Sequence, residues 1–265
     1  MMSRSGTASR FLFLGTSTSV GVPVIGCRCP VCTSKHPHDD RTRSSAYLSG
    51  PWGNLLIDSG PDLRQQALRE NLTSVDAVLY THPHLDHVTG FDELRAFCWH
   101  RHAPLPLYGS PETLNSLERM FPWAFIQEKH QPGYVRPCAR PVTTPFDLDG
   151  LRVTPVEVDH GNVRTHGYRF DHPSFGSLAY LPDVKRIGPP SLALLEDLDT
   201  LIIDALRHED HSTHMTVDEA IDTIDRLQPR RSYLTHLSHE LPWDETSRSL
   251  PPGISVAYDG LSLDF

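Results

Sequence analysis

The chain has 265 residues, with 24 Lys and Arg against 33 Asp and Glu and a formal charge of −9. That length can bury a core without disulfides, and 38% hydrophobic with 22% charged residues exclude a disordered chain. The acidic balance opposes a duplex nucleic-acid binder, whose phosphate contacts need clustered Lys and Arg. The composition stands out for its 16 histidines, which point to metal or acid–base chemistry because imidazole is the commonest metal ligand and titrates near neutral pH.

The polar stretch Met1 to Arg10 lacks the apolar core of a signal peptide. No apolar run approaches the length of a membrane span. Three of the five cysteines fall within six positions, a spacing that suits a metal better than a disulfide framework. These features predict a cytoplasmic protein with one domain over residues 1–265, no membrane partner and no duplex nucleic acid; a homodimer is left open.

In chain order, short apolar runs predict strands at Phe11–Leu14, Asn54–Asp58 and Ala77–Tyr80, a half-buried one from Leu151, and others at Leu178–Leu181, Leu201–Ile203, Ser232–Leu234 and Ile254–Tyr258. Helices are predicted over Asp62–Asn71, Glu112–Met120 and Ser191–Glu196, and most clearly after Thr216. There Thr216 and Glu219 have capping-box spacing, Val217, Ala220, Ile221, Ile224 and Leu227 line one face, and Pro229 closes the run. Strands precede helices in both halves, which predicts two packed sheets with helices outside.

Thr81-His-Pro-His-Leu-Asp-His87 follows a predicted strand and has the form His-x-His-x-Asp-His. His82, His84, Asp86 and His87 put four metal-ligating side chains within six positions, and imidazole with carboxylate suits Zn²⁺ or Mn²⁺. A solvated loop would explain one or two of these histidines, not the spacing after an apolar strand. Further ligand types stand at other strand ends: Asp58, His160, Asp183 and His236.

With those residues assembled, the sequence from Gly15 to Gly260 resembles the metallo-β-lactamase superfamily. The resemblance implies an α/β fold, the αβ/βα four-layer sandwich of two packed sheets with helices outside. It implies that His82, His84 and His160 hold one divalent metal, Mn or Zn, that Asp86, His87 and His236 hold a second, and that Asp183 bridges them. Asp58 would then orient the ligand loop. The bridging aspartate is typical of hydrolytic branches that cleave phosphodiesters and thioesters; the β-lactamases proper depart there and also need an export signal, which is not expected here.

Gly26-Cys-Arg-Cys-Pro-Val-Cys32 offers three thiolates, Cys27, Cys29 and Cys32. A structural zinc wants four ligands. His239, three residues after His236, is the preferred fourth, with Cys98 and Cys138 as rivals. This cluster, with Gly15-Thr-Ser-Thr-Ser-Val-Gly21 and Leu234-Thr-His-Leu-Ser-His239, is similar to the PhnP-type phosphodiesterases, known as phosphoribosyl cyclic phosphodiesterases. That resemblance implies a small, cyclic ribose phosphodiester substrate attacked by a hydroxide held between two metals. It places His214 beside the substrate phosphate as the proton donor to the leaving oxygen. Arg207 and His211, in the same segment, read equally well as loop residues. The rivals are a tRNA 3′-processing ribonuclease, a thioester hydrolase on the same site, and a non-catalytic accessory protein like PqqB. Pro182 departs from the pattern and restricts the backbone before Asp183.

Overall fold

The computed structural model describes residues 8–99, 101–126 and 133–265. The polar opening segment up to residue 7, and His100, for which the sequence suggests no role, lie outside the described residues.

Seven strands form the first sheet: β1 (Arg10–Gly15), β2 (Ser45–Gly50), β3 (Gly53–Ile57), β4 (Ala77–Leu79), β5 (Leu105–Gly109), β6 (Pro137–Pro141) and, from the chain's far end, β14 (Ser262–Asp264). The second holds β7 (Phe146–Leu148), β8 (Leu151–His160), β9 (Val163–His172), β10 (Gly176–Leu181), β11 (Thr200–Asp204), β12 (Arg231–Thr235) and β13 (Ile254–Val256). The orders are β14-β1-β2-β3-β4-β5-β6 and β13-β12-β11-β10-β9-β8-β7. Both sheets follow one plan. An antiparallel meander comes first (β1 to β3, and β7 to β10), followed by parallel strands joined through helices (β3 to β6, and β10 to β13).

Alternation within β1 shows how the layers arise. Phe11 and Phe13 point into the space between the sheets, where they meet Tyr168, Phe170, Tyr180 and Ile202. Leu12 and Leu14 point outward, into a second apolar layer with Leu63 of α1 (Leu63–Arg69). The same layer takes Val88 of α2 (Leu85–Val88), partly buried Phe97 of α3 (Arg95–Cys98), Leu114 and Leu117 of α4 (Pro111–Met120) and Ala124 of α5 (Pro122–Phe125). On the far side, Leu201 and Ile203 pack with Val217, Ala220 and Ile224 of α7 (Val217–Leu227). Strands buried on both faces read as continuous apolar runs, which is why β11 and β4 were visible in the sequence. The architecture is the expected αβ/βα sandwich.

Some bounds differ from the sequence reading. The helix expected over Ser191–Glu196 is α6 (Pro189–Ala193), because Pro189 and Pro190 supply the fixed φ of a first turn. The strand expected over Ile254–Tyr258 stops at Val256. The capping box at Thr216 is formed as the spacing predicts, and α7 ends on left-handed Gln228 just before Pro229. After β12 comes α8 (Trp243–Ser249), which the sequence reading did not include.

Candidate metal centre

Asp58, Thr81 to His87, His160, Asp183, Asp204 and His236 follow or close β3, β4, β8, β10, β11 and β12. Most of these are carboxyl ends of parallel strands, where α/β sheets present ligand sites. The structure therefore gathers residues spread over more than half the chain onto one edge of the sandwich.

His82 Nε2 lies 2.8 Å from His84 Nδ1, and His160 Nε2 lies 3.2 Å from that same Nδ1. One imidazole nitrogen carries at most one proton, so it cannot bond both partners by donation. Three lone pairs facing one point is an arrangement that a cation satisfies. The second group is Asp86, His87 and His236: His87 Nε2 is 3.2 Å from Asp86 Oδ2, and the ligand atoms of all three lie within 4.8 Å of one another. Asp183 lies between the groups. Its Oδ2 is 3.2 Å from His87 Nε2, and its Oδ1 is 3.1 Å from His236 Nε2 and 3.9 Å from His160 Nε2.

The outer partners set the ring orientation. Asp58, fully buried, takes the Thr81 N–H on Oδ1 and the Thr81 hydroxyl on Oδ2, each at 2.8 Å; that Oδ2 also takes His87 Nδ1 at 2.8 Å. His160 Nδ1 donates to the Thr213 carbonyl at 2.8 Å. With Nδ1 used, the Nε2 of His160 is left unprotonated and facing inward, and the Nε2 of His87 faces inward as well, where a metal would take the place of its proton. Asp58 and His236 both sit in the left-handed region, at φ 62° and 60°. Aspartate tolerates it better than most residues, and the turn aims each side chain away from its strand.

The donor set fits divalent cations. His87 Nε2, Asp183 Oδ2 and His236 Nε2 are buried with no hydrogen-bond partner among the described residues, a costly condition unless an ion completes them. Burial holds His82 well below the usual imidazole range and His160 at about 4, so both are neutral ligands at pH 7. Burial alone would lower His87 too, but the carboxylates of Asp183, Asp86 and Asp58 outweigh it and hold it well above its ordinary value.

His214 is buried beside this cluster, its ring stacked on His236 at 4.5 Å and edge-on to His160 at 4.7 Å. Its Nδ1 is 2.6 Å from Asp204 Oδ2, which also takes the Val184 N–H at 2.9 Å. Burial pushes the His214 imidazole below its ordinary value and the Asp204 carboxyl well above its own, so each is driven toward its neutral form. Asp204 was not singled out from the sequence. It closes an apolar strand as Asp58 follows one, and that was the available signal.

A second cluster lies apart from the first. His239 Nδ1 is 3.4 Å from Cys27 Sγ and 3.3 Å from Cys29 Sγ, and Cys32 completes a group within 4.8 Å. Cys98 and Cys138 are not part of it. Burial raises the Cys29 thiol, but hydrogen bonds from the Cys32 amide and His239 prevail and hold it at about 6, while desolvated Cys32 is pushed up to about 11. Buried Arg41 secures the fourth member: its guanidinium donates to the carbonyls of Ser238 and Leu241, on either side of His239, at 3.0 and 2.6 Å. Arg207 is tied to Glu240 and to the carbonyls of Glu209 and Asp210.

The model of the β-lactamase superfamily domain matches residues 53–237, a span that runs from β3 through His236. The chain belongs to the metallo-β-lactamase superfamily. This superfamily member is 40% identical to a crystal structure described as a new diphosphatase from the PhnP family, with a TM-score of 0.89 over 97% of this chain and 98% of that one. It is also 40% identical over 257 residues to a Porphyromonas gingivalis protein named octanoyltransferase, covering 95% of this chain but 51% of that protein; the chain spans about half the length of this relative. A more distant relative is coenzyme PQQ synthesis protein B of Cupriavidus necator, 26% identical over 94% of this chain and 97% of that one. The superfamily's fold and the PhnP-family diphosphatase relative are consistent with metal-dependent hydrolysis. The cysteine motif and His239 fall outside the matched span, so the superfamily alone does not account for them.

Proposed function

We propose that this enzyme hydrolyses a small phosphate-bridged substrate at a dinuclear metal centre. The ribose cyclic phosphodiester expected from the sequence and a diphosphate bridge are two members of that class. The observation that carries the reading is the His214–Asp204 pair set against the complete group of His82, His84, His160, Asp86, His87, His236 and Asp183. Kinship with a PhnP-family diphosphatase supports it and brings the diphosphate bridge forward.

Divalent ions held by these side chains would supply charge neutralisation at the phosphoryl oxygens and a nucleophile at neutral pH. The chain's own residues do the rest. Asp58 and the Thr213 carbonyl hold the ligand rings in register. His214, steadied at Nδ1 by Asp204, offers Nε2 to the leaving oxygen. A water oxygen forms the new bond to phosphorus and gives up a proton to solvent, the bridging P–O bond breaks, and its electron pair stays on the leaving oxygen, which takes its proton from the His214–Asp204 pair; solvent then reprotonates that pair. Serine and cysteine nucleophiles have no part in this route. Cys27, Cys29, Cys32 and His239 would hold one structural zinc, as a Cys₃His ligand set does.

The test is a turnover screen on chelator-stripped protein reloaded with Mn²⁺ or Zn²⁺. The substrates are a disubstituted diphosphate, a ribose cyclic phosphate, a linear phosphodiester and an octanoyl thioester, with Asp86→Ala as the inactive control. Turnover of a phosphate substrate that depends on added metal and disappears in the control is expected. Turnover of the thioester alone would replace this reading with acyl chemistry, and inactivity on all four would favour an accessory role.

A further inference from the structure

His236 turns through the left-handed region, and among the described residues its own backbone makes no hydrogen bond to another backbone group. Its neighbours therefore set its direction, and they are held on two flanks. On one flank the support comes from the end of β11: the Ala205 N–H donates to the Thr235 carbonyl and the Ser238 N–H to the Leu206 carbonyl, each at 3.0 Å. On the other flank lie residues 16–18, which follow β1. The Leu237 N–H donates to the Thr16 carbonyl at 2.8 Å, and the Thr18 N–H to the Leu237 carbonyl at 3.4 Å.

One carboxylate fixes that second flank. Asp259 stands between β13 and β14, its side chain 7% exposed. Its Oδ1 takes the Thr16 N–H at 2.9 Å and the Thr16 hydroxyl at 2.8 Å. Its Oδ2 takes the Thr42 N–H at 2.8 Å, the Thr42 hydroxyl at 2.6 Å and Arg69 Nη1 at 3.2 Å. The Thr42 carbonyl in turn takes the Ser17 N–H at 2.8 Å. Each carboxylate oxygen thus faces a backbone N–H, so neither place suits the NH₂ of an amide. Joining the end of the chain to β1 requires none of these bonds, because β14 already pairs with Arg10, Phe11 and Leu12.

We propose that Asp259 is a positioning residue for the metal centre: it fixes residues 16–18 and, through Leu237, the direction of His236. The inference rests on the dinuclear reading and concerns the group that His236 shares with Asp86 and His87.

Two measurements test it. Asp259→Asn sets an NH₂ against one of the two backbone amides; Thr16→Val removes one hydroxyl, and Thr16→Ser keeps it. Val153→Ala, in the core between the sheets, weakens the fold without touching this segment. The first readout is amide hydrogen exchange at Leu237 in metal-free protein, measured against the β11 amides of the same sample. Losing a hydrogen bond to a charged group corresponds to roughly a tenfold change, so Leu237 should exchange about tenfold faster in Asp259→Asn and less so in Thr16→Val. Thr16→Ser and Val153→Ala should keep the wild-type ratio. The second readout is Mn²⁺ titration followed by electron paramagnetic resonance. Where wild type shows the spin-coupled signal of two neighbouring ions, Asp259→Asn should show the signal of a single ion, with the second bound about tenfold more weakly. Val153→Ala should match wild type. If Asp259→Asn does not fold, Thr16→Val and its serine rescue carry both readouts. An exchange ratio no different from that of Val153→Ala, or an unchanged Mn²⁺ titration, would overturn the assignment. If wild type itself takes up a single ion, the dinuclear reading falls, and exchange at Leu237 judges Asp259 by itself.

Discussion

At the scale of single residues, the site depends on groups that hold the ligand side chains without being ligands themselves. Asp58 accepts three hydrogen bonds with two oxygens, and its turn conformation brings them to Thr81 and His87 together. Asp58→Asn would keep the shape but leave one acceptor oxygen, so either the loop or the imidazole loses its partner. Metal retention should fall about 10- to 100-fold, measured as metal content after dialysis against graded chelator, with the circular dichroism spectrum unchanged. Wild-type retention in this variant would remove Asp58 from the centre. Both the ligand candidates and Asp58 were legible in the sequence because each follows or ends an apolar run. Asp204 was less so: its partner His214 lies ten residues away around a loop, and only the folded loop brings Nδ1 onto its carboxylate.

At the scale of elements, the ligand loop is held by a close approach of two glycines. The Ser59 N–H donates to the His87 carbonyl at 2.8 Å, and the Gly90 N–H to the Ser59 carbonyl at 2.9 Å. A Cβ on Gly90 would come within 1.9 Å of the Gly60 carbonyl oxygen, so the turn carrying Asp86 and His87 must move. Gly90→Ala should cost about 1–3 kcal/mol of stability, as overpacking does, and should loosen metal binding; a variant with wild-type denaturant midpoint and metal content would refute the contact. Helix α7 offers a pH-dependent test. Glu219 closes the capping box on the Thr216 N–H at 2.8 Å and takes Lys185 Nζ at 2.9 Å. Burial would raise its carboxyl, but Lys185 and the Thr216 amide outweigh it and hold it below the ordinary 4.5. The ionised form is therefore favoured by folding. Its stabilisation is present above pH 4.5 and disappears as pH falls through the lower folded-state value. Glu219→Gln should unfold earlier than wild type at neutral pH, and the gap should close in acid; a gap constant across pH would show that charge is not the cause. This helix was readable from its cap and its apolar face. Strands β5 and β6 were not, because Pro106, Pro137 and Pro141 break the strand signal and β6 lies at a sheet edge, where proline is tolerated. In β9 the inward Tyr168 and Phe170 alternate with Arg169 and Asp171, and the charged residues mask an otherwise regular period of two.

At the scale of the whole molecule, two clusters draw together chain segments that are far apart in sequence. The histidine–aspartate centre joins the carboxyl ends of both sheets, so it forms only when the two halves are packed. The cysteine group works differently: Cys27 and His239 are 212 positions apart, so an ion there closes nearly the whole chain into one loop. The chain-entropy argument gives a fixed cross-link of that span a stabilisation on the order of 5 kcal/mol as an upper limit. A reversible ion realises it through mass action, so that the unfolding temperature rises with free metal. Zinc added to stripped protein should therefore raise the thermal midpoint through both clusters. Cys29→Ser should lose the contribution of the long loop and keep that of the histidine centre, His84→Ala the reverse, and the double variant should be nearly insensitive to zinc. The two contributions should also separate optically, because cobalt in the cysteine group gives a thiolate charge-transfer band that survives His84→Ala and vanishes in Cys29→Ser. If Cys29→Ser responds to zinc as wild type does and cobalt gives no such band in either protein, the cysteine group is not a metal site, and the approach of His239 to it must be explained by the Arg41 contacts alone.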